Sequence, residues 1–515
     1  MLPCRSPALI PIHTKPIAQH LLEFYHSRVH NVFLVVSEES RNEVVSQLGS
    51  LPDNVTVCGI ANSRGVGATL AWALQQHDLC EEVIVNVVTT LPSGLVPPHS
   101  VGAAVVPEWL LSQLAKVTER KNGEVAFYSR SDENPTSAKA FTGLFRAETE
   151  RLRECVPHFQ SSNDLVIAPK VLQKVGTVFE IWEEPWIDCG HDANLPRARA
   201  NLITSRSFNS LEVDPSQQTI RKSSSNLDKI RREREYFQQL PSELEVHFPR
   251  LRPNLEDPKN EQSYVMEYVG YPNLAELALC WKLPEEAWWR LFEGLSGMMS
   301  QFRSISAPLD EENYLRFFLT KTQQRIEEYL GSLEKDERLN LEGDLIVDGV
   351  ALQSLESVLE NYESLIANSF EQNALTVFHG DLCFNNILYG WSEGIIRLID
   401  PRGGFDREGI HGDFRYDLAK VNHSACGHYD LFVANRFELK EGKGEASLQF
   451  SLSKDGPNFT EMMSWLLKQQ RVESRFVQAV TGSLFLSMCP LHKEDPVRQR
   501  AFFIHGRRML SEVLN

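Results

Sequence analysis

The sequence predicts two tandem bodies. Residues 1–200 read as an α/β domain with a mostly parallel sheet, and residues 201–515 as an α+β domain of two lobes. Three observations carry this. Over the first 200 residues, short apolar runs rich in β-branched residues alternate with stretches of helical spacing, the signature of a parallel sheet covered by helices on both faces. Near residue 200 the texture changes to closely spaced strands, and from about residue 283 to helices. Between two short apolar runs, 375–379 and 395–400, lies a loop dense in His, Asp and Asn.

The elements follow in order. IAQHLLEFYHSR (17–28) carries apolar residues at helical spacing, and NVFLVVS (31–37) is a strand. VTVCGIA (55–61) and EEVIVNVVTT (81–90) are further strands, with GVGATLAWALQQ (65–76) as the helix between them, a Rossmann-like alternation. The stretch 203–222 reads as two strands around a turn at Asp214-Pro215, followed by a helix over 226–240 and a strand SYVMEYV (263–269). These make a small lobe over 201–270. The large lobe, 271–515, holds helices at 285–302, 313–330, 352–370, 459–470 and 498–514.

Composition bounds the function. With 52 Lys+Arg against 69 Asp+Glu, the net charge of −17 repels phosphate backbones and anionic lipid, so nucleic acid is not an expected partner. No apolar run approaches the roughly 18 residues of a membrane span, and no charged n-region precedes an apolar h-region. The nine cysteines are scattered, with no C-x-x-C pair, as expected of a reducing cytoplasm. In HSACGHYD (423–430) the His and Cys residues lack the partner cluster that a metal site needs.

The chemistry concentrates in FHGDLCFNNILYG (378–390), which contains H-x-D-x-x-x-x-N as His379, Asp381 and Asn386. Composition alone would give this spacing about 0.03 times in such a chain. Phosphoryl transfer to a hydroxyl needs a carboxylate to orient the hydroxyl and take its proton, which suits Asp381. It needs a neutral oxygen ligand for Mg²⁺, which suits Asn386, and a second carboxylate on the metal, which suits Asp400 at the end of IIRLID.

On these residues, 203–515 resemble the aminoglycoside phosphotransferase / choline kinase family, of protein-kinase-like fold. The resemblance implies ATP and Mg²⁺ as cofactors, Asp381 as catalytic base, and Asn386 and Asp400 as metal ligands. His379, in the same catalytic motif, is read as a buttress. In IDPRGGFDREGIHGDFRYDLAK (399–420), Gly412, Asp413, Asp417, Leu418 and Ala419 would fix the catalytic loop from behind. Lys222 would reach the α- and β-phosphates and pair with a helix glutamate, Glu233 in preference to Glu235. The backbone near Glu267 and Tyr268 would meet the adenine edge. No Gly-rich loop precedes Lys222, and SRSFNS (205–210), with Ser207 and Asn209, is the substitute cover for the phosphates. Arg402 and Asp406 are read as contacts to phosphates or acceptor, or as a salt bridge. Trp288 and Trp289 are read as core in preference to an acceptor pocket.

Residues 8–200 resemble the sugar-1-phosphate nucleotidyltransferase family, through Lys15-Pro16, the stretch 63–74, and WIDCGHDANLPRA (186–198), where Asp188 matches a metal-binding Asp. The family's Gly-rich phosphate loop is absent before Lys15, and Thr89 and Thr90 stand where a second metal Asp is expected. The domain is therefore expected to be catalytically degenerate, with Lys15 and Asp188 as remnants. The expected activity is phosphorylation of a hydroxyl on a sugar, choline-like or related small molecule, in a bacterial capsule or surface-polysaccharide setting. The alternatives are a bifunctional nucleotidyltransferase/kinase and a non-catalytic nucleotide-sugar-binding scaffold. Homo-oligomerisation is left open.

Overall fold

The computed structural model describes the chain apart from residues 1–5, 13–14, 50, 107, 134, 136, 184, 192–197, 200–208, 215, 256–261, 282, 308–309, 372–374, 392, 406, 452–455 and 515, and the side chains of 109, 209, 407 and 408. It forms two units, Met1–Leu202 and Ile203–Asn515.

In the first unit, α1 (Ile17–Tyr25) leads into β1 (Val32–Ser37), α2 (Glu38–Leu48), β2 (Val55–Ile60) and α3 (Val66–Gln76). β1 and β2 pair in parallel, as their β-branched runs and the intervening helix predict. The rest of the unit departs from the predicted topology. β3 (Glu82–Asn86), β4 (Ser100–Ala104), β5 (Lys116–Glu119), β6 (Val125–Tyr128), β7 (Lys139–Glu148) and β8 (Glu180–Glu183) form a six-stranded sheet. Only β8 and β4 pair in parallel there. The long central β7 is antiparallel to β3, β4 and β5, and β5 to β6. The mostly parallel sheet is thus corrected to a mixed, chiefly antiparallel one. β7 can hold several neighbours because of Gly143, whose φ of +80° sits inside a register shift between Phe141 and Phe145. The core under this sheet includes Phe127, Phe141 and Phe145, with Leu152 and Phe159 from α4 (Thr149–Phe159). Among the described residues, β1 and β3 each pair along one edge only, and both line a cavity of about 1030 Å³.

The second unit begins with β9 (Asn209–Asp214), β10 (Thr219–Ser224) and β11 (Ser263–Glu267), an antiparallel sheet in that order. Asp214 Oδ1 accepts the N–H groups of Ser216 and Gln217, which closes the β9–β10 turn. α5 (Leu227–Gln239) starts on the Asn226 cap, which accepts the Lys229 N–H, and buries Ile230, Glu233, Tyr236 and Phe237 on one face. The helical region contains α6 (Glu285–Arg303), α7 (Lys321–Gly331) and α8 (Leu355–Asn368). The predicted helix over 313–330 is interrupted by a π-helical turn at Arg316–Thr320, immediately before α7.

The loop that carries the chemistry hangs from four short strands. β12 (Leu375–Val377) pairs with β15 (His411–Asp413), and β13 (Ile387–Gly390) with β14 (Ile395–Leu398). α9 (Phe414–Ala425), capped by Asp413, lies behind them. α10 (Phe459–Gln470), α11 (Ser474–Met488) and α12 (Pro496–Leu514) close the fold.

Candidate active site

The loop between β12 and β13 is fixed from behind before it offers anything to a substrate. Asp417, buried on α9, accepts the backbone N–H groups of His379 at 2.6 Å and Gly380 at 2.8 Å. Burial raises its carboxyl to about 7, against the pull of those two hydrogen bonds. His379 is fully buried. Its Nε2 donates to the Ile399 carbonyl at 2.9 Å, and its Nδ1 accepts the Asp381 N–H at 3.2 Å. Burial pushes its imidazole down to about 4, so it is neutral with both nitrogens in use. With both ring nitrogens engaged, it has none left to exchange a proton with a substrate. Tyr236 donates to the Phe378 carbonyl at 2.9 Å, tying α5 to the same loop. Gly412 lets the Phe378 ring lie against β15, where a Cβ would come within 2.5 Å of it.

Asp381 stands half-buried at the loop's front. Lys420 Nζ lies 2.8 Å from its Oδ1, and Asn386 Nδ2 donates to its Oδ2 at 3.1 Å and to its carbonyl at 2.8 Å. Burial would raise this carboxyl, but Lys420 and Arg402 outweigh it and hold it well below the usual range. It is ionised at any physiological pH. Because the Asn386 amide nitrogen faces Asp381, its Oδ1 is left as the oxygen a metal can use.

The second half of the site comes from the small lobe. Lys222, buried on β10, places Nζ 2.8 Å from Glu233 Oε2 on α5 and 2.8 Å from Asp400 Oδ1. Burial disfavours its charge, but the two carboxylates prevail and raise its pKa. Tyr264 donates to Glu233 at 3.0 Å. Glu235 is elsewhere, paired with Arg231 on the exposed face of α5. Asp400 is half-buried and adopts φ +57°, a left-handed conformation that a non-glycine residue enters at a cost. Its carboxyl is held below the usual range, since Lys222 outweighs the effect of burial.

Other expected residues are placed as follows. The N–H groups of Glu267 and Tyr268 donate to the carbonyls of Arg250 and Gln218, both at 2.8 Å. Neither of these two N–H groups is a donor for a base. Ser207 and Asp406 lie outside the described residues, as does the side chain of Asn209, the first residue of β9. Trp288 is core, edge-on to Phe459, and Trp289 packs edge-on to Trp465. Arg402 donates to the Tyr416 hydroxyl at 3.0 Å, and its N–H to the His379 carbonyl at 2.9 Å. In the first unit, Lys15 is paired with Glu23 at 2.7 Å. Asp188 sits opposite Thr90 on paired strands and is engaged by His191 at 2.7 Å and the Gly190 N–H at 2.9 Å.

Sequence reasoning missed Lys420, which lies one turn beyond Asp417 on α9 and so on the same face. That spacing was the available signal. It also missed Lys321 and Arg325, whose i, i+4 spacing on α7 marks a shared face but names no partner. Among the described residues no group of three or more His, Cys, Asp and Glu could hold a metal on its own.

No family model matches the chain, and no curated protein matches its sequence. Solved structures do. The ADP-bound aminoglycoside phosphotransferase APH(2'')-Ib is 13% identical, over 61% of this chain and 93% of its own, with a TM-score of 0.39. The aminoglycoside-3'-phosphotransferase of type VIII is 18% identical, over 58% of this chain and 99% of its own, with a TM-score of 0.31. The inositol-1-phosphate CTP transferase from T. maritima is 14% identical, over 35% of this chain and 78% of its own, with a TM-score of 0.28.

Proposed function

We propose that residues 203–515 are a small-molecule kinase that moves the γ-phosphoryl group of ATP to a hydroxyl, with Mg²⁺. The observation that carries this reading is the convergence on one site of Lys222 with Glu233, Asp400, and Asp381 with Asn386. Each member has a distinct role. Lys222, once released from Asp400, neutralises the α- and β-phosphates while Glu233 keeps it aimed. Asn386 Oδ1 and the Asp400 carboxylate are the hard oxygen donors that would hold Mg²⁺, which when bound offsets the charge on the phosphates. Asp381 orients the acceptor hydroxyl. The hydroxyl oxygen bonds to the γ-phosphorus, the bond from that phosphorus to the bridging oxygen breaks, ADP leaves with the electron pair, and the proton passes to Asp381. A carboxylate with so low a pKa is a weak base, which suits a loose transition state in which the proton moves late. Lys420 holds one of its oxygens still, and lone pairs remain on both.

The acceptor range we assign is a sugar, choline-like or related hydroxyl compound, with bacterial surface-polysaccharide assembly as the setting that the pairing of two such modules suggests. The first unit is proposed as a binding module. Its Lys15 and Asp188 are engaged by Glu23 and His191, and Thr90 lacks the charge of a metal ligand. No helix among the described residues is long and apolar enough to cross a membrane.

The test is thermal unfolding with Mg·ATP, on the wild type and on Asp400→Ala. At a hundred times its Kd, a ligand of the native state stabilises by about 2.7 kcal/mol. The expected result is a clear shift that Asp400→Ala abolishes. No shift, or one indifferent to Asp400, overturns the reading.

A further inference from the structure

Within electrostatic reach of Asp381 lies a cavity of about 20 Å³, room for one water-sized group. Three cations line it: Lys321 and Arg325 on α7, and Arg402 next to the catalytic loop. Among the described residues none of the three makes an ion pair. Arg325 donates to the Ser487 carbonyl at 3.3 Å, Arg402 to the Tyr416 hydroxyl, and Lys321 lies 6.0 Å from the Phe317 ring centre. The carboxylates in electrostatic reach are otherwise committed, Asp381 to Lys420, Glu328 to Lys493 at 3.0 Å, and Asp417 to the N–H groups of His379 and Gly380. Burial, Arg402, Arg325 and Lys420 together push Lys321 down to about 6. Like charges crowded in a half-buried cluster are costly unless a counter-charge arrives. The π-helical turn that delivers Lys321 is a second departure from regular structure at the same spot, of a kind frequent at functional sites.

We infer that the acceptor carries an oxyanion, a phosphate ester or a carboxylate, which seats on Lys321, Arg325 and Arg402 while its hydroxyl faces Asp381. This rests on the kinase reading and narrows it. Two guanidinium groups, and the Lys321 amine that takes a proton as an anion arrives, match the donor needs of such a group. The cavity has room for one terminal oxygen, with the rest of the molecule left outside. Choline and polyamine sugars meet like charge here, so they are poor acceptors. The transfer itself is unchanged: the oxyanion takes no part in bond making and anchors the molecule.

The test uses the full chain with saturating Mg·ADP and inorganic phosphate as the probe, titrated at constant ionic strength and read by thermal unfolding. Phosphate is expected to stabilise the wild type saturably. In Lys321→Met and in Arg325→Gln its apparent Kd rises at least tenfold, while the Mg·ADP shift stays as in wild type. D-ribose 5-phosphate displaces phosphate, and ribose, choline and kanamycin do not. If phosphate gives no shift, or gives equal shifts in wild type and both variants while Mg·ADP still binds, the inference is overturned. Equal shifts that vanish in Lys222→Ala also overturn it, because phosphate then occupies the γ-position. If Mg·ADP itself fails to bind, the kinase reading falls. Phosphate binding sensitive to Lys321 would in that case still report the oxyanion site.

Discussion

His379 illustrates how a residue can belong to a reactive motif without reacting. Both its ring nitrogens are in hydrogen bonds, and its ring stacks on Phe248 at 6.2 Å. Its function is to hold the Asp381 backbone and the Ile399 carbonyl at fixed spacing. The consequence is measurable through pH. A free imidazole takes a proton near 6.5, while this one resists until about 4. The unfolded chain therefore binds the extra proton first. The contribution is fully present above about pH 6.5 and is lost as pH falls towards 4, by on the order of 3 kcal/mol. In His379→Gln the difference in unfolding free energy from wild type should narrow by that amount over this window, measured by urea denaturation at several pH values. A difference independent of pH would mean that His379 binds its proton as readily in the native state as in the unfolded chain. The residues legible in the sequence were those with fixed spacing and a chemical task, Asp381, Asn386 and Asp400. Lys420 shares a helix face with Asp417 by spacing, but only the fold shows that Asp381 is the group it meets.

At the scale of elements, β15 depends on one absent side chain. Gly412 pairs with Thr376, and the Phe378 ring occupies the space where its Cβ would be. Gly412→Ala should destabilise the second unit by about 1–3 kcal/mol, as overpacking does, and loosen the loop that Asp417 secures. Denaturant titration checks this, and an unchanged midpoint would show that Phe378 moves aside freely. Burial also decides which elements the sequence revealed. α5 and α6 bury one face and show helical periodicity, so their limits were close to those expected. Every residue of α9 is buried, so it has no polar stripe to announce it. β7 is buried along most of its length and lacks the alternation of a one-sided strand. Its omission is the physical reason that a parallel sheet was expected in the first unit.

On the whole-molecule scale, the chain divides into two units with separate cores. Calorimetry of the full protein should resolve two unfolding transitions. Mg·ATP should raise one of them, the same one that Gly412→Ala lowers, and leave the other in place. Movement of both with nucleotide would mean that the units unfold as one, or that the first also binds ATP. The boundary near residue 200 was legible because composition and element length both change there. The internal arrangement of the first unit was less so, since β4 to β7 carry few of the apolar, β-branched runs that advertise a strand.

The left-handed backbone of Asp400 has a consequence for lineages rather than molecules. Glycine or asparagine would sit more comfortably at φ +57°. Neither would supply a carboxylate for Mg²⁺. Backbone conformation thus pulls this position away from aspartate, and on the proposed kinase reading it is the demand for phosphoryl transfer that holds it. In any descendant that has become a pure binding protein, position 400 is where the relaxation should register first. One codon would then separate working copies from retired ones.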